Sequence, residues 1–325
     1  MSTPYVSHAR NRGSGLALAL VAAVAFGGSG AFAKPLIEAG ITPLQVTWLR
    51  VAGAAVVLLP LLVRHRAVVR RHPGLLVTYG LTAIAGCQAF YFAALSRIPV
   101  GVAILLEFMG PVLVLLWLRF GARRHVSRRA ALGVLLAVTG LAMVVEVWAG
   151  LRLDPLGLLL GFGAACCQAF YFVLGDREDA EPIDPRALIS YGLLFGAIAL
   201  TLVSQPWRID WAVLGTALPV GSGTAPALAL LAWVVLIATV VAYLTGISAL
   251  RRLSAQVAAA VACLEVVVAA AVAWVALGEA LSVVQIIGGG VVLAGAFIAQ
   301  AATAIRAPSP ELSGSEDPEP APAPV

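Results

Sequence analysis

Ten stretches of this chain are each continuously apolar over roughly the 20 residues that a helix needs to cross about 30 Å of hydrocarbon. They fall near 14–34, 44–63, 74–96, 100–120, 130–148, 156–175, 187–205, 225–248, 256–277 and 282–303. Lipid leaves a backbone only two ways to satisfy its own hydrogen bonds, the helix and the closed barrel. Runs that are apolar throughout, rather than at alternate residues, select the helix. With 61% hydrophobic and 11% charged residues among 325, the chain is expected to be an all-α integral membrane protein.

An internal repeat organises those ten segments. Residues 94–145 recur without a gap, at an offset of 155, as residues 249–300. Ala94, Leu95, Arg97, Val102, Ala103, Val112, Gly133 and Gly140 return as Ala249, Leu250, Arg252, Val257, Ala258, Val267, Gly288 and Gly295, while Arg123 and Arg124 stand opposite Gly278 and Glu279. Basic loops stay on the cytoplasmic side, so a charge switch at one loop position means that one copy is upside down. The expected architecture is a 5+5 inverted-repeat bundle, the plan of secondary transporters, whose site lies where the repeats meet near the bilayer midplane. The corresponding divisions are an N-terminal tail over 1–13, a first five-helix repeat over 14–148, an outer linker over 149–155 and a second repeat over 156–303. A Pro-rich acidic tail over 304–325 reads as disordered.

Placing the N-terminus in the cytoplasm puts 16 of the 21 Lys and Arg residues inside and only Lys34, Arg50, Arg97, Arg152 and Arg208 outside. Both termini are then cytoplasmic. Arg outnumbers Lys twenty to one, as in GC-rich bacterial coding, which points to a multi-pass protein of a bacterial cytoplasmic membrane. The net charge of +5 reports this topology and an anionic inner leaflet, not nucleic acid, because no basic patch adjoins a soluble aromatic platform. Arg10, Arg12, the first apolar run and Ala31-Phe32-Ala33 also imitate a cleaved signal. Against that, Gly27-Gly28-Ser29-Gly30 would interrupt its apolar core, and cleavage would leave nine spans and spoil the repeat.

Enzyme classes fall by subtraction. The Gly-x-Ser-Gly string at 27–30 resembles that of intramembrane serine proteases, but no histidine lies at membrane depth to act as base; His8, His65, His72 and His125 are in the tail or loops. Every aspartate is in a loop or tail, and there is no phosphate loop. Cys87, Cys166, Cys167 and Cys263 lie inside helical runs without metal spacing and read as small buried hydrophobes. No metal, cofactor or catalytic residue is expected.

Polar residues left at membrane depth carry the information, because a charge there costs at least about 2.5–3.5 kcal/mol unless paired or wet. Arg50 and Glu107 both lie roughly 10 Å in from the same side. Paired, they form an outer gate or substrate-charge reader, or simply a structural ion pair. Glu265, nearer mid-bilayer, is a candidate substrate or proton partner, or else a hydrogen bond to a neighbouring helix. A second repeat, Cys87-Gln88-Ala89-Phe90-Tyr91-Phe92 and Cys167-Gln168-Ala169-Phe170-Tyr171-Phe172, has offset 80 and so is not ancestral. It places the pairs Gln88 with Tyr91 and Gln168 with Tyr171, each three residues apart on one face, near the middle of two antiparallel helices. They offer amide and phenol contacts to a small polar ligand, or glue between helices.

Gly27-Gly28-Ser29-Gly30-Ala31-Phe32-Ala33-Lys34, Thr47-Trp48-Leu49-Arg50, Leu106-Glu107-Phe108-Met109-Gly110-Pro111 and Leu277-Gly278-Glu279 resemble the ten-helix drug/metabolite transporters of the EamA type, and most of all their threonine/homoserine exporter branch. The resemblance covers nearly the whole membrane region. It implies export of amino acids or similar small metabolites by alternating access, proton coupling, and a cavity lined by helices one to four and six to nine. Gln88, Tyr91, Gln168 and Tyr171 are then expected to hold substrate, Arg50 and Glu107 to form the outer charged gate, and Glu265 to partner a proton or amine. In one place the chain departs from the pattern: Val266 stands where proline is expected after Glu265. Two other classes are weaker. A passive channel needs a continuous polar stripe, which these helices lack. A non-transporting receptor or scaffold needs a larger docking surface than the short apolar loop near 205–224.

Overall fold

The computed structural model describes residues 5–121, 123, 127–145, 153–175, 183–250, 252 and 255–304; the C-terminal tail beyond them and most of the expected outer linker lie outside the described residues. Ten helical segments are described: α1 (Tyr5–Glu38), α2 (Pro43–Val57), α3 (Pro73–Leu95), α4 (Val100–Gly121), α5 (Arg128–Val145), α6 (Pro155–Gly175), α7 (Pro185–Ser204), α8 (Ala227–Ala249), α9 (Ala255–Leu277) and α10 (Val283–Ala304). Two short helical turns, Leu59–Arg64 and Arg66–Arg71, join α2 to α3. By length and composition α1 over Ser14–Glu38, α3, α4, α7 and α8 each suffice to cross a membrane, and α2, α6, α9 and α10 are apolar over shorter described lengths. Leu202, Val275 and Val283 face outward while Arg50, Thr47, Ser190 and Thr239 are buried, a polarity suited to lipid rather than water.

Caps start the helices where the apolar runs begin. Thr42 Oγ1 accepts from Gln45 N and Gln45 Oε1 accepts from Thr42 N, a closed capping box before Pro43. Ser282 and Gln285 form the same box at α10, and Ser127, one repeat offset earlier, caps α5 through Ala130 N. Asp154 and Asp184 cap α6 and α7, each before a proline. α2 ends short of the expected residue 63 because Pro60 has no N–H to give the Val56 carbonyl.

The packing repeats as the sequence does. α1 lies on α8 and α9, and α6 lies on α3 and α4; α2 meets α8, and α7 meets α3; α2 with α7, α4 with α9 and α5 with α10 pack on their own counterparts. Exchanging the first five helices for the last five leaves these pairings unchanged, as a two-fold axis in the membrane plane requires. The fold is thus a ten-helix, 5+5 inverted-repeat bundle. The repeated glycines explain the close contact of α5 with α10. A Cβ on Gly140 would come within 2.7 Å of Gly288 O, and one on Gly295 within 2.6 Å of Gly133 O, so α5 and α10 cross glycine on glycine at both ends.

Two departures from regular helix bear on function. α3 and α8 each contain a widened, π-helical stretch, at Gly80–Gly86 and Trp233–Val241, and an offset of 155 superposes the first on the second. α4 breaks after Glu107 and restarts at Gly110, because Pro111 has no N–H for the Glu107 carbonyl. The corresponding place in α9 holds Val266, and α9 runs unbroken. The two halves therefore differ in bending at their only acidic helix centres among the described residues. Between α7 and α8 a small hairpin, β1 (Ala217–Val220) and β2 (Gly223–Pro226), turns at Gly221, whose φ of 59° favours glycine, and leans on the end of α9.

Candidate functional site

Arg50 is 1% exposed and spends its donors across the repeat boundary. Nε donates to Thr239 Oγ1 at 2.7 Å, Nη2 to Ala238 O at 2.8 Å and Nη1 to Gln88 Oε1 at 2.8 Å, with the guanidinium 5.4 Å from the Phe92 ring centroid. The π-helical stretch of α8 makes this possible. Ala242 N–H, which in an α-helix would bond Ala238 O, goes instead to Ile237 O and Thr239 O, and Ala238 O takes the arginine. Thr239 Oγ1 in turn donates to Val234 O at 2.7 Å. A helix irregularity in one repeat thus holds a buried cation of the other.

Glu107, at the break in α4, accepts from Cys87 Sγ at 3.3 Å. Arg50, Glu107 and Glu265 lie close enough to interact electrostatically, as does Tyr91 with all three. The ion pair expected between Arg50 and Glu107 is not made: depth from one surface placed them together, but each points to a different partner, Gln88 and Cys87, on adjacent residues of α3. Glu265 is half-buried and makes no hydrogen bond or ion pair with another described residue.

The two Cys-Gln-Ala-Phe-Tyr-Phe copies do cross. Cys87 Sγ lies 3.7 Å from Ala164 O, and Gly86 is close to Cys167 Sγ, while Phe90 and Phe170 face outward. Tyr91 OH and Gln168 Oε1 are buried without a hydrogen-bond partner, the first against Gly30 of α1 and the second against Gly110 of α4. Buried polar atoms without partners cost about 1–3 kcal/mol each, which makes these two candidate ligand contacts. The Tyr171 backbone is helical, and its side chain lies outside the described residues. The glycines at 27–30 give close approach: Gly27 to the Glu265 backbone, Gly28 to Trp233 Nε1 and Gly30 to Tyr91. The whole cluster draws on α1, α2, α3, α4, α6, α8 and α9.

At one end of the bundle lie two further ion pairs. Lys34 Nζ bonds Glu279, whose other oxygen accepts from Val100 N at 2.8 Å. Arg97 bonds Asp154 Oδ2 at 2.8 Å and holds that carboxyl below the usual range. Sequence reasoning missed Thr239, the Ala238 carbonyl and the Cys87 thiol on Glu107. A lone threonine within Trp233–Val241 was the only available hint.

The model of the EamA-like transporter family matches residues 13–146 and 155–300, one match for each half of the bundle. The chain belongs to this family. It is therefore a multi-pass membrane transporter of a small molecule. The chain is 28% identical over 287 residues to the threonine/homoserine exporter RhtA of Escherichia coli, covering 86% of this chain and 88% of that one. An uncharacterised transporter of Archaeoglobus fulgidus is also 28% identical, over 88% of this chain and 96% of its own length. A solved structure with a TM-score of 0.58 and 19% identity covers 91% of this chain and 100% of that chain, a likeness of fold alone.

Proposed function

We propose that this EamA-family transporter exports amino acids of the threonine/homoserine kind, or related small metabolites, from the cytoplasm of a bacterium by alternating access. Both termini are cytoplasmic in this reading. One observation carries it: a cationic Arg50, two carboxylates and two unpartnered polar atoms gather where the repeats meet, a set complementary to a small zwitterion. The likeness to RhtA supports the substrate class. Gln88, Tyr91, Gln168 and Tyr171 contact the substrate, and Glu265 takes its ammonium group or a coupling proton. Arg50 and Glu107 act as a charge pair separated by Gln88 and Cys87, closing on each other or on substrate during the cycle. Counterflow of labelled threonine and homoserine into liposomes, with and without a pH gradient, tests the reading. Saturable exchange stimulated by the gradient is expected; flux indifferent to both amino acids refutes the substrate class.

A further inference from the structure

We infer that the Lys34–Glu279 pair is the charged latch that closes the outer end of the transport path, the role the sequence suggested for Arg50 and Glu107; this rests on the alternating-access reading above. Glu279 follows α9 through Gly278, whose φ of 71° turns the chain back over the helix end. One carboxylate oxygen takes Lys34, near the end of α1, and the other accepts the N–H of Val100, the first residue of α4. That N–H has no partner within its own helix, and a helix N-terminus favours an anion. Two residues further on, Leu281 packs on Gly101, seating the same loop against α4.

A single carboxylate therefore joins α1, α4 and the α9–α10 turn. These are the elements that carry the Gly27–Gly30 contact surface, Glu107 and Glu265. Opening this end separates them, and Glu279 must release Lys34 and Val100 together, so the latch yields as a unit. The pair is only 17–18% exposed, so water screens it less than the Arg97–Asp154 pair at the same end, which is 34–43% exposed. Arg50 is unsuited to the task because Gln88, Thr239 and Ala238 already take its donors.

Cys87, buried beside Glu107, reports access to the path. In protein carrying C166A, C167A and C263A, reconstituted in liposomes, its labelling by a charged, membrane-impermeant methanethiosulfonate is timed from each face. K34M and E279Q are expected to speed labelling from the face bearing Lys34 by roughly 3- to 30-fold, the factor set by losing one charge-assisted hydrogen bond at a partly screened site. Labelling from the opposite face stays at or below the parent rate, a directionality that general loosening of the fold does not produce. Unchanged labelling from the Lys34 face, in variants that unfold thermally with the parent, overturns the latch. Should E279Q fail to fold, K34M, altered only near a helix end, carries the test. Labelling needs no substrate, so faster labelling without amino-acid counterflow removes the proposed substrate and leaves the latch standing.

Discussion

Replacing Gly140 by Ala puts a methyl group into the α5–α10 crossing, where backbone lies against backbone. The added Cβ would stand 2.6 Å from Val292 N and 2.7 Å from Gly288 O, short of ordinary contact by roughly 0.7 Å. All the nearby atoms are backbone, so no side chain can swing away; α5 and α10 must separate or slide as rods. Overpacking of this kind costs about 1–3 kcal/mol, against which alanine's better helix propensity returns at most about 1 kcal/mol. Gly290, two residues from Gly288 on another face of α10, supplies the control: a Cβ there meets nothing within 4 Å. Thermal unfolding of the purified protein in detergent should show Gly140→Ala falling below the parent and Gly290→Ala unchanged or higher. Equal transitions for both variants would refute the claim that glycine contact, rather than the apolar surface around it, sets the α5–α10 crossing.

Other outcomes follow from the site. Arg50→Met leaves Gln88 Oε1 and Ala238 O without their donor, each worth about 1–3 kcal/mol, but also relieves a buried charge, so net stability should move by less than about 3 kcal/mol while counterflow is lost. Normal counterflow in that variant would make Arg50 a structural staple. Thr239→Val strips the partner from Arg50 Nε and is expected to destabilise by about 1–3 kcal/mol, with Thr239→Ser restoring both stability and transport. Glu107→Gln should abolish or uncouple transport while the protein still reaches the membrane, and a pH-dependent counterflow identical to the parent's would remove Glu107 from the mechanism. Pro111→Ala returns an N–H to the Glu107 carbonyl and should straighten α4, slowing exchange without lowering the thermal transition; an unaltered exchange rate would mean that the break is not used.

The bundle was legible because its determinants are linear. Ten apolar runs gave the helices, and the 155-residue offset paired Gly133 with Gly288 and Gly140 with Gly295 before any contact was visible. Val266 was legible as a departure from the family pattern, and the structure adds its consequence: α4 breaks before Pro111 while α9 runs unbroken. The site was legible only in part. Depth along a helix follows from counting at 1.5 Å per residue, which put Arg50 level with Glu107, but azimuth does not survive a π-helical stretch or a break. The widened turns at 80–86 and 233–241 occur in apolar sequence broken only by Thr82 and Thr239, so nothing in residue type marked the Ala238 carbonyl as the arginine's acceptor. Glu279 was read as a family mark in a loop, because a salt bridge to Lys34, 245 residues away, has no local signature.

Counterflow in proteoliposomes tests the central claim most directly. The purified protein, loaded with unlabelled threonine or homoserine, should draw in the labelled amino acid to a transient peak above equilibrium, with a rate that saturates as concentration rises. Folded protein that passes these amino acids in linear, non-saturating fashion would contradict a carrier with a closed site between its repeats, and folded protein that exchanges neither would contradict the substrate class.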